Sequence, residues 1–572
     1  MRTKLAFLAL LVTGLAGTAT SRAAEAAREV KVGQAGYPTR APKLAFVAAT
    51  SPASTFSVVR ADSGARVLEG RLSAPVADAD SGDRVQTADL SALDRPGTYV
   101  LDVPGVGRSV PFAVGEDVFA RPLYLALRSF YGQRCGTAVD LGPEFPGYRY
   151  PACHREGAWH VSSGKSGPRP STKGWHDAGD YGRYVVNSGI TTGTLLWAFE
   201  MFPDRLKGLT LDVPESGDAT PDVLDEARWN LEWMLSMQDA DGGAFHKQTS
   251  ERFAGFVMPQ DDRSASVVIG TGSEPWKGTC ATADLAAVAA IAARVYRPYD
   301  RTFADTSLDA ARRAFAWAAA HPGVTYRNPP DVATGAYGDG DCRDEVLWAA
   351  AELWRTGGDA AALRYFLEHE RELRAALKAD GPPSWPGVGP LAFWTYALAA
   401  GGDEAVRREV RDLSLGAADA IVARSAANGY RTSLVAADYV WGSNAVAANY
   451  GLQLLVANAL KPDPRAVEAA RDNLHYLLGR NAFSLSWVTG VGARSFRHPH
   501  HRPSGADRNP EPWPGLLSGG PNRRKQDPAM AKLPDGLPPA KMYLDEQDSY
   551  ASNENAINWN AALVFLLAGA SQ

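Results

Sequence analysis

From about residue 118 onward the chain is a succession of apolar runs with helical period. They lie at roughly 118–132, 183–202, 221–238, 280–296, 306–320, 343–356, 359–378, 388–400, 404–424, 443–459, 464–478 and 555–569. About twelve helices with no strand run between them leave few architectures open. Many are rich in Ala, which lets helices approach closely, and several are apolar almost all round, as helices buried on every side must be. Twelve helices in pairs suit a double-layered α/α barrel. A stacked solenoid has the same count, but no repeating sequence period is present.

The segment ahead of the helices is different in kind. From Glu29 to Val114, short apolar-rich pieces such as Lys43–Val47, Thr55–Val59 and Gly97–Val103 alternate with Gly, Pro, Asp and Ser turns. Strands at that spacing over just under a hundred residues predict a small β-sandwich. Nothing in it reads as catalytic. The fold expected is mainly α: an (α/α)6 barrel over 116–572, preceded by a small β-sandwich over 27–115.

The N-terminus reads as an export leader over 1–26. Arg2 and Lys4 precede an apolar run from Leu5 to about Leu15, and small residues offer cleavage after Ala23 or Ala26. The run is short for a bilayer and no later stretch is apolar enough, so a secreted or periplasmic protein with no membrane partner is expected. A formal net charge of −5 gives no footprint for nucleic acid. A monomer with no organic cofactor is expected.

The unusually long connections, at 133–182, 239–279, 321–342 and 480–554, are where a site would be built. In the first, Gly174-Trp-His-Asp-Ala-Gly-Asp-Tyr-Gly-Arg-Tyr184 sets Asp177 and Asp180 three residues apart among glycines and aromatic rings. Glycines allow a sharp turn that presents both acids together. Aromatic faces beside acids, Trp175 among them, suit a sugar-binding cleft. The competing reading is that Asp180 only caps the following helix. In the last connection, Arg497-His-Pro-His-His-Arg502 gathers polar groups that can hydrogen-bond hydroxyls, and Tyr543–Ala561 places Glu554 at the start of the final helix, with Tyr550 before it and Trp559 after. A carboxylic acid beside aromatic rings can have its pKa raised enough to act as a general acid near neutral pH. Two carboxylate groups before helices of one barrel are the pair that glycoside hydrolysis needs.

These motifs resemble family nine of the glycoside hydrolases, in the branch with an N-terminal immunoglobulin-like domain. The resemblance runs through Val32–Tyr37, Gly174–Tyr181, Val213–Gly217 with Pro221–Glu226, Trp441–Asn444, Leu478–Asn481, Val488–Gly492, His500–Arg502 and Tyr543–Ala561. It implies an inverting hydrolase of β-1,4-glucosidic bonds in cellulose, cello-oligosaccharides or mixed-linkage β-glucan. Asp180 would be the general base, Asp177 would help to hold the water, and Glu554 would be the general acid. His500 and Arg502 match the family's substrate-contacting pair, Asp545 would orient its neighbours or support Glu554, and Tyr550 would line the cleft. Within the family, an exo-β-glucosaminidase acting on chitosan oligosaccharides is the alternative. A non-catalytic carbohydrate-binding protein is the alternative of another class, and it sits poorly with three intact carboxylates.

The four cysteines complete the reading. Cys135, Cys153, His154 and His176 form the donor set of a structural zinc site, and this branch carries a similar tetrad near its base loop. A Cys135–Cys153 disulfide is the competing reading in an oxidising compartment. Cys280 and Cys342 are expected as buried free thiols. The segment Tyr337–Glu345 resembles a calcium loop of the family, with Asp344, Glu345 and Asp339 as ligands; a solvated acidic turn is the alternative. The acids Glu215, Asp218, Asp222, Asp225 and Glu226 read as helix-start charge.

Overall fold

The computed structural model describes residues 25–571. The expected leader therefore lies, apart from its last two residues, outside the described residues. Nine strands follow in the order β1 (Val30–Lys31), β2 (Leu44–Val47), β3 (Thr55–Arg60), β4 (Arg66–Arg71), β5 (Val76–Ala77), β6 (Arg84–Asp89), β7 (Gly97–Val103), β8 (Gly107–Arg108) and β9 (Phe112–Val114). They make two antiparallel sheets, β1-β2-β6-β5 and β4-β3-β7-β8, with β9 added beside β7. The period of two sets the packing: Tyr99, Leu101 and Val103 of β7 point inward against Val58 and Phe112.

The second body is built from α1 (Ala120–Gly132), α2 (Val185–Met201), α3 (Asp222–Ser236), α4 (Thr279–Val295), α5 (Arg301–Ala320), α6 (Arg343–Gly357), α7 (Ala360–Leu373), α8 (Gly389–Leu398), α9 (Glu404–Ala427), α10 (Ser443–Leu460), α11 (Pro464–Leu477) and α12 (Ile557–Ala570). Even-numbered helices contact one another in sequence, and α12 returns to α2, which closes an inner ring. Odd-numbered helices pack outside it. Sequence composition sorts the layers. In α4 nearly every residue is buried and nearly half are Ala, so neighbouring backbones come close; a larger side chain there would overpack at a cost of about 1–3 kcal/mol. In the outer α5 only one stripe is buried, and Asp300 caps its start through the Phe303 N–H at 2.9 Å.

Two expectations need correction. The helical region is not free of strands: β10 (Val139–Asp140) pairs β11 (Arg149–Tyr150), and β12 (Gly157–Trp159), β13 (Arg183–Tyr184), β14 (Lys247–Thr249) and β15 (Ser266–Ile269) form a four-stranded sheet in the order β12-β15-β14-β13. Strands of two to four residues are too short to leave a period in the sequence. Cys280 and Cys342 are not free thiols either. They form a disulfide between α4 and the residue preceding α6.

The sandwich is fastened to the barrel. Phe46, on the opposite face of β2 from Ala45 and Val47, packs on Tyr430, and the Arg480 guanidinium lies over its ring at 4.8 Å. Asp83 accepts from the Tyr430 hydroxyl at 2.7 Å and from Lys541 at 2.6 Å. Gln34 accepts from the Arg494 N–H at 2.9 Å and donates to the Ser484 carbonyl at 3.2 Å. The long connection before α12 is thus pinned near both of its ends.

Candidate active site

The segment Gly174–Tyr184 leads directly into α2. Of its glycines only Gly174 has a left-handed backbone, at φ +78°. Gly179 and Gly182 are there for want of room. A Cβ on Gly182 would fall 2.7 Å from Asp180 Oδ2, and one on Gly179 would fall 2.0 Å from the main-chain oxygen of His500. Asp180 does not cap α2, since Tyr184 occupies the cap position. Its Oδ2 instead accepts from the Gly182 N–H at 2.9 Å and the Tyr184 hydroxyl at 3.0 Å. Asp177 is fully buried and held on both oxygens, by Asn187 Nδ2 at 2.7 Å and by the Tyr337 hydroxyl at 2.6 Å. Burial, and then the neighbouring Asp180, raise its pKa above the ordinary carboxylate range.

Glu554 comes to the same place from the far end of the sequence. It sits between the short turn of helix Tyr550–Asn553 and α12. Its Oε1 faces the Gly179 N–H at 3.3 Å, and its backbone bridges to His500. The Ile557 N–H at the start of α12 donates to the Asp177 carbonyl at 2.9 Å, so the two acid-bearing segments are joined through main chain. Burial, and secondly Asp180, push the Glu554 carboxyl well above its usual pKa. An upward shift of this kind is what suits a carboxyl to donate a proton.

The other expected site residues divide into three groups. His500, Arg502 and Tyr550 gather around these acids. His500 Nδ1 bonds the Gln547 carbonyl at 2.7 Å, which fixes the ring and leaves Nε2 without a hydrogen-bond partner among the described residues. The His500 ring lies 5.6 Å from Tyr550, which in turn lies 5.5 Å from the half-exposed Trp441. Arg502 donates to the Gly179 carbonyl at 2.7 Å and to the Ala254 carbonyl at 2.9 Å, with Phe253 and Phe256 beside its guanidinium. Asp545 stands behind them, accepting from the His498 N–H at 2.8 Å and from Asn553 at 3.2 Å, so it braces the residue before Glu554. Trp175 is a correction. It is wholly buried, its indole N–H bonds Glu226 at 2.7 Å, and it packs on Phe130; it belongs to the core and cannot meet a substrate. An aromatic next to an acid in sequence points the other way when the backbone turns between them.

Sequence reasoning overlooked Tyr184, Asn187 and Tyr337, which hold the two aspartates. Tyr184 and Asn187 flank the start of α2, within hydrogen-bonding reach of the acids along the chain. Tyr337 gave no such signal, because 160 residues separate it from Asp177.

Cys135, Cys153, His154 and His176 meet next to the loop, with one donor atom from each within 4.8 Å of every other. The cysteines are free, and Nδ1 of both histidines is buried without a partner among the described residues. His154 Nε2 is taken by Asp262 at 3.1 Å, which leaves Nδ1 to face the thiols. Two thiols, two imidazoles and orphaned nitrogens fit a tetrahedral metal site. Both carboxylate oxygens of Glu345 and of Asp284 are likewise buried without hydrogen-bond partners among the described residues, as is one oxygen of Asp339. Burial first, and Asp344 second, raise Asp284 and Glu345 well above the carboxylate range. Clustered orphan oxygens of this kind suit a hard cation. Asp284 was missed because it lies inside the Ala-rich α4, where the sequence suggests only packing.

A closed double ring of helices, with carboxyls from two loops drawn together beside aromatic rings, defines an (α/α)6-barrel carbohydrate-active enzyme. The chain belongs to glycosyl hydrolase family 9, whose model matches residues 119–567, and a cellulase N-terminal immunoglobulin-like domain matches residues 25–108. It is a glycoside hydrolase. It is similar to endoglucanase D of Acetivibrio thermocellus, with 37% identity over 545 residues, covering 94% of this chain and 83% of that one. The solved structure of a metagenome-derived family 9 endoglucanase superposes with a TM-score of 0.88 at 37% identity, covering 95% of this chain and 99% of that one. A zinc-binding triple mutant of the family 9 endoglucanase J30 superposes with a TM-score of 0.86 at 35% identity, over 94% and 99% of the two chains.

Proposed function

We propose that this β-1,4-glucan hydrolase works by inversion, with Glu554 as general acid and Asp180 as general base. Glu554 protonates the departing glycosidic oxygen. Asp180 takes a proton from the water that attacks the anomeric carbon from the opposite face, and Asp177 holds that water. The product leaves with inverted configuration. His500 Nε2 and Arg502 contact sugar hydroxyls, and Tyr550 and Trp441 offer the faces on which sugar rings stack. The observation that carries this reading is the meeting of Glu554 with the base loop at Gly179, where Asp180 keeps two hydrogen-bond donors and the Glu554 carboxyl is pushed above its usual pKa.

Cys135, Cys153, His154 and His176 would hold zinc, which would pin the loop at the residue next to Asp177. Asp284, Asp339, Asp344 and Glu345 would hold calcium. The substrate is a β-1,4-glucan or its oligosaccharides, and the protein acts as a monomer. The basic and apolar leader supports export, and no helix among the described residues is long and apolar enough to cross a membrane.

The test is hydrolysis of a defined cello-oligosaccharide followed by NMR of the fresh product. Appearance of the α-anomer first is expected. Initial β-anomer would overturn the mechanism, and activity confined to chitosan oligosaccharides would overturn the substrate.

A further inference from the structure

Lys247 lies on β14, directly opposite Tyr184 in the strand pair, and its side chain is wholly buried. All three protons of its ammonium are used: on Asn328 Oδ1 at 2.9 Å, Thr334 Oγ1 at 3.2 Å and the Gly335 carbonyl at 2.7 Å. A buried lysine normally ends on a carboxylate, because an unpaired charge is expensive to desolvate. This one makes no salt bridge among the described residues. Burial pulls its pKa down to about 7, and Asp180 is the carboxylate that opposes that shift.

Its position explains the arrangement. Gly335 is two residues before Tyr337, the residue whose hydroxyl holds Asp177 at 2.6 Å. Tyr337 has φ +45°, a conformation that a tyrosine keeps only when its surroundings impose it. The imposing contacts come from β14 and the residue before it. Lys247 holds Thr334 and Gly335, and His246 Nε2 bonds the Ala336 carbonyl at 2.7 Å while its ring stacks on Tyr326 at 3.5 Å. The Lys247 ammonium also stands 5.4 Å from the centre of the Tyr184 ring, and the Tyr184 hydroxyl donates to Asp180. Tyr184 and Tyr337 pack together at 4.8 Å. One lysine thus stands behind the two tyrosines that hold the two aspartates.

We infer that Lys247 is a positioning residue for the hydrolytic water: it fixes the Thr334–Tyr337 arm against Asp177 and backs the Tyr184 ring whose hydroxyl holds Asp180. The inference rests on the proposed roles of Asp177 and Asp180. The charged and titratable groups facing this assembly are Asp177, Asp180, Glu554, His500 and Arg502 from the loops, Tyr184 and Tyr337 from their own segments, and His246 and Tyr326 beside the lysine. His246 stays neutral, because burial pushes its pKa down to about 3. It therefore adds no competing charge.

The test is Lys247→Met, which keeps length and bulk but removes the ammonium. On a cello-oligosaccharide kcat should fall about a hundredfold, as a displaced attacking group does, with KM and the stoichiometry of cellobiose binding retained. An aryl cellobioside with a good leaving group should not restore the rate, since the defect is on the side of the water; in parallel, Glu554→Gln should recover on that substrate. Thr334→Val removes one acceptor of the ammonium without changing shape and should show a smaller loss of the same pattern; it decides the matter if Lys247→Met does not fold. A kcat within threefold of the parent, a loss confined to KM, or recovery on the activated substrate would overturn the inference. An inactive parent on every glucan would overturn the functional reading itself.

Discussion

The closest approach in the site is also the most exacting one. A methyl group on Gly179 would stand 2.0 Å from the His500 carbonyl oxygen, where contacts under 3.0 Å essentially do not occur. The oxygen is backbone and cannot swing aside. His500 is bridged to Glu554, and the Gly179 carbonyl is held by both the N–H and the guanidinium of Arg502. Gly179→Ala must therefore drive the base loop and the acid segment apart by about 1 Å, a displacement that costs about a hundredfold in rate, or about 2.7 kcal/mol of transition-state stabilisation. The measurement is kcat/KM from reducing-end release on a defined cello-oligosaccharide, beside thermal melting. Gly416, on the exposed face of α9 with nothing within 4 Å of where its methyl would stand, provides the control: Gly416→Ala should leave the rate unchanged and stabilise by about 0.5–1 kcal/mol. A Gly179→Ala enzyme within threefold of the parent would refute the claim that this contact sets the separation of the two acids.

Further outcomes follow from the same geometry. Glu554 must be protonated to act, and its pKa is raised by burial and by Asp180, so activity should fall as pH rises through that raised value; Glu554→Gln should abolish the basic limb of the kcat/KM profile and lower the rate by about 10²–10⁴. Metal analysis should find about one zinc per chain, and chelation should expose Cys135 and Cys153 to a thiol reagent and lower the melting temperature; unreactive thiols with no metal would point to a disulfide. Non-reducing peptide mapping should recover Cys280 joined to Cys342, and Cys342→Ser should destabilise by about 2–4 kcal/mol in chemical denaturation. Trp175→Phe, which removes one donor to the buried Glu226 carboxylate while Arg134 keeps its own, should cost about 1.5–3 kcal/mol of stability and leave KM unchanged.

The helices were legible because burial on all sides or on one stripe writes itself into the residue pattern, and all twelve apolar runs correspond to helices. The strands inside the long connections were not, because Arg183–Tyr184 or Val139–Asp140 is too short to alternate. Asp177, Asp180 and Glu554 were legible as acids framed by glycines and aromatics. Their supports were not: Tyr337, Lys247 and Asp284 reach the site or the barrel core from elements whose sequence speaks only of turns, strands and packing. Direction was equally hidden. Trp175 is two residues from Asp177 and points into the core, while Trp441 is far away in sequence and half exposed beside Tyr550.

The closure of the inner ring has a consequence for how the molecule acquires activity. Helix α12 completes the ring by lodging between α10 and α2, and the turn that enters α12 carries Glu554 and grips the Asp177 carbonyl. The acid reaches the Gly179 N–H, 375 residues away, only when that last wall is in place. During refolding, hydrolysis cannot return before α12 docks. Enzymatic activity is therefore a readout of completed topology, and a chain interrupted before α12 would be helical, open on one side and silent.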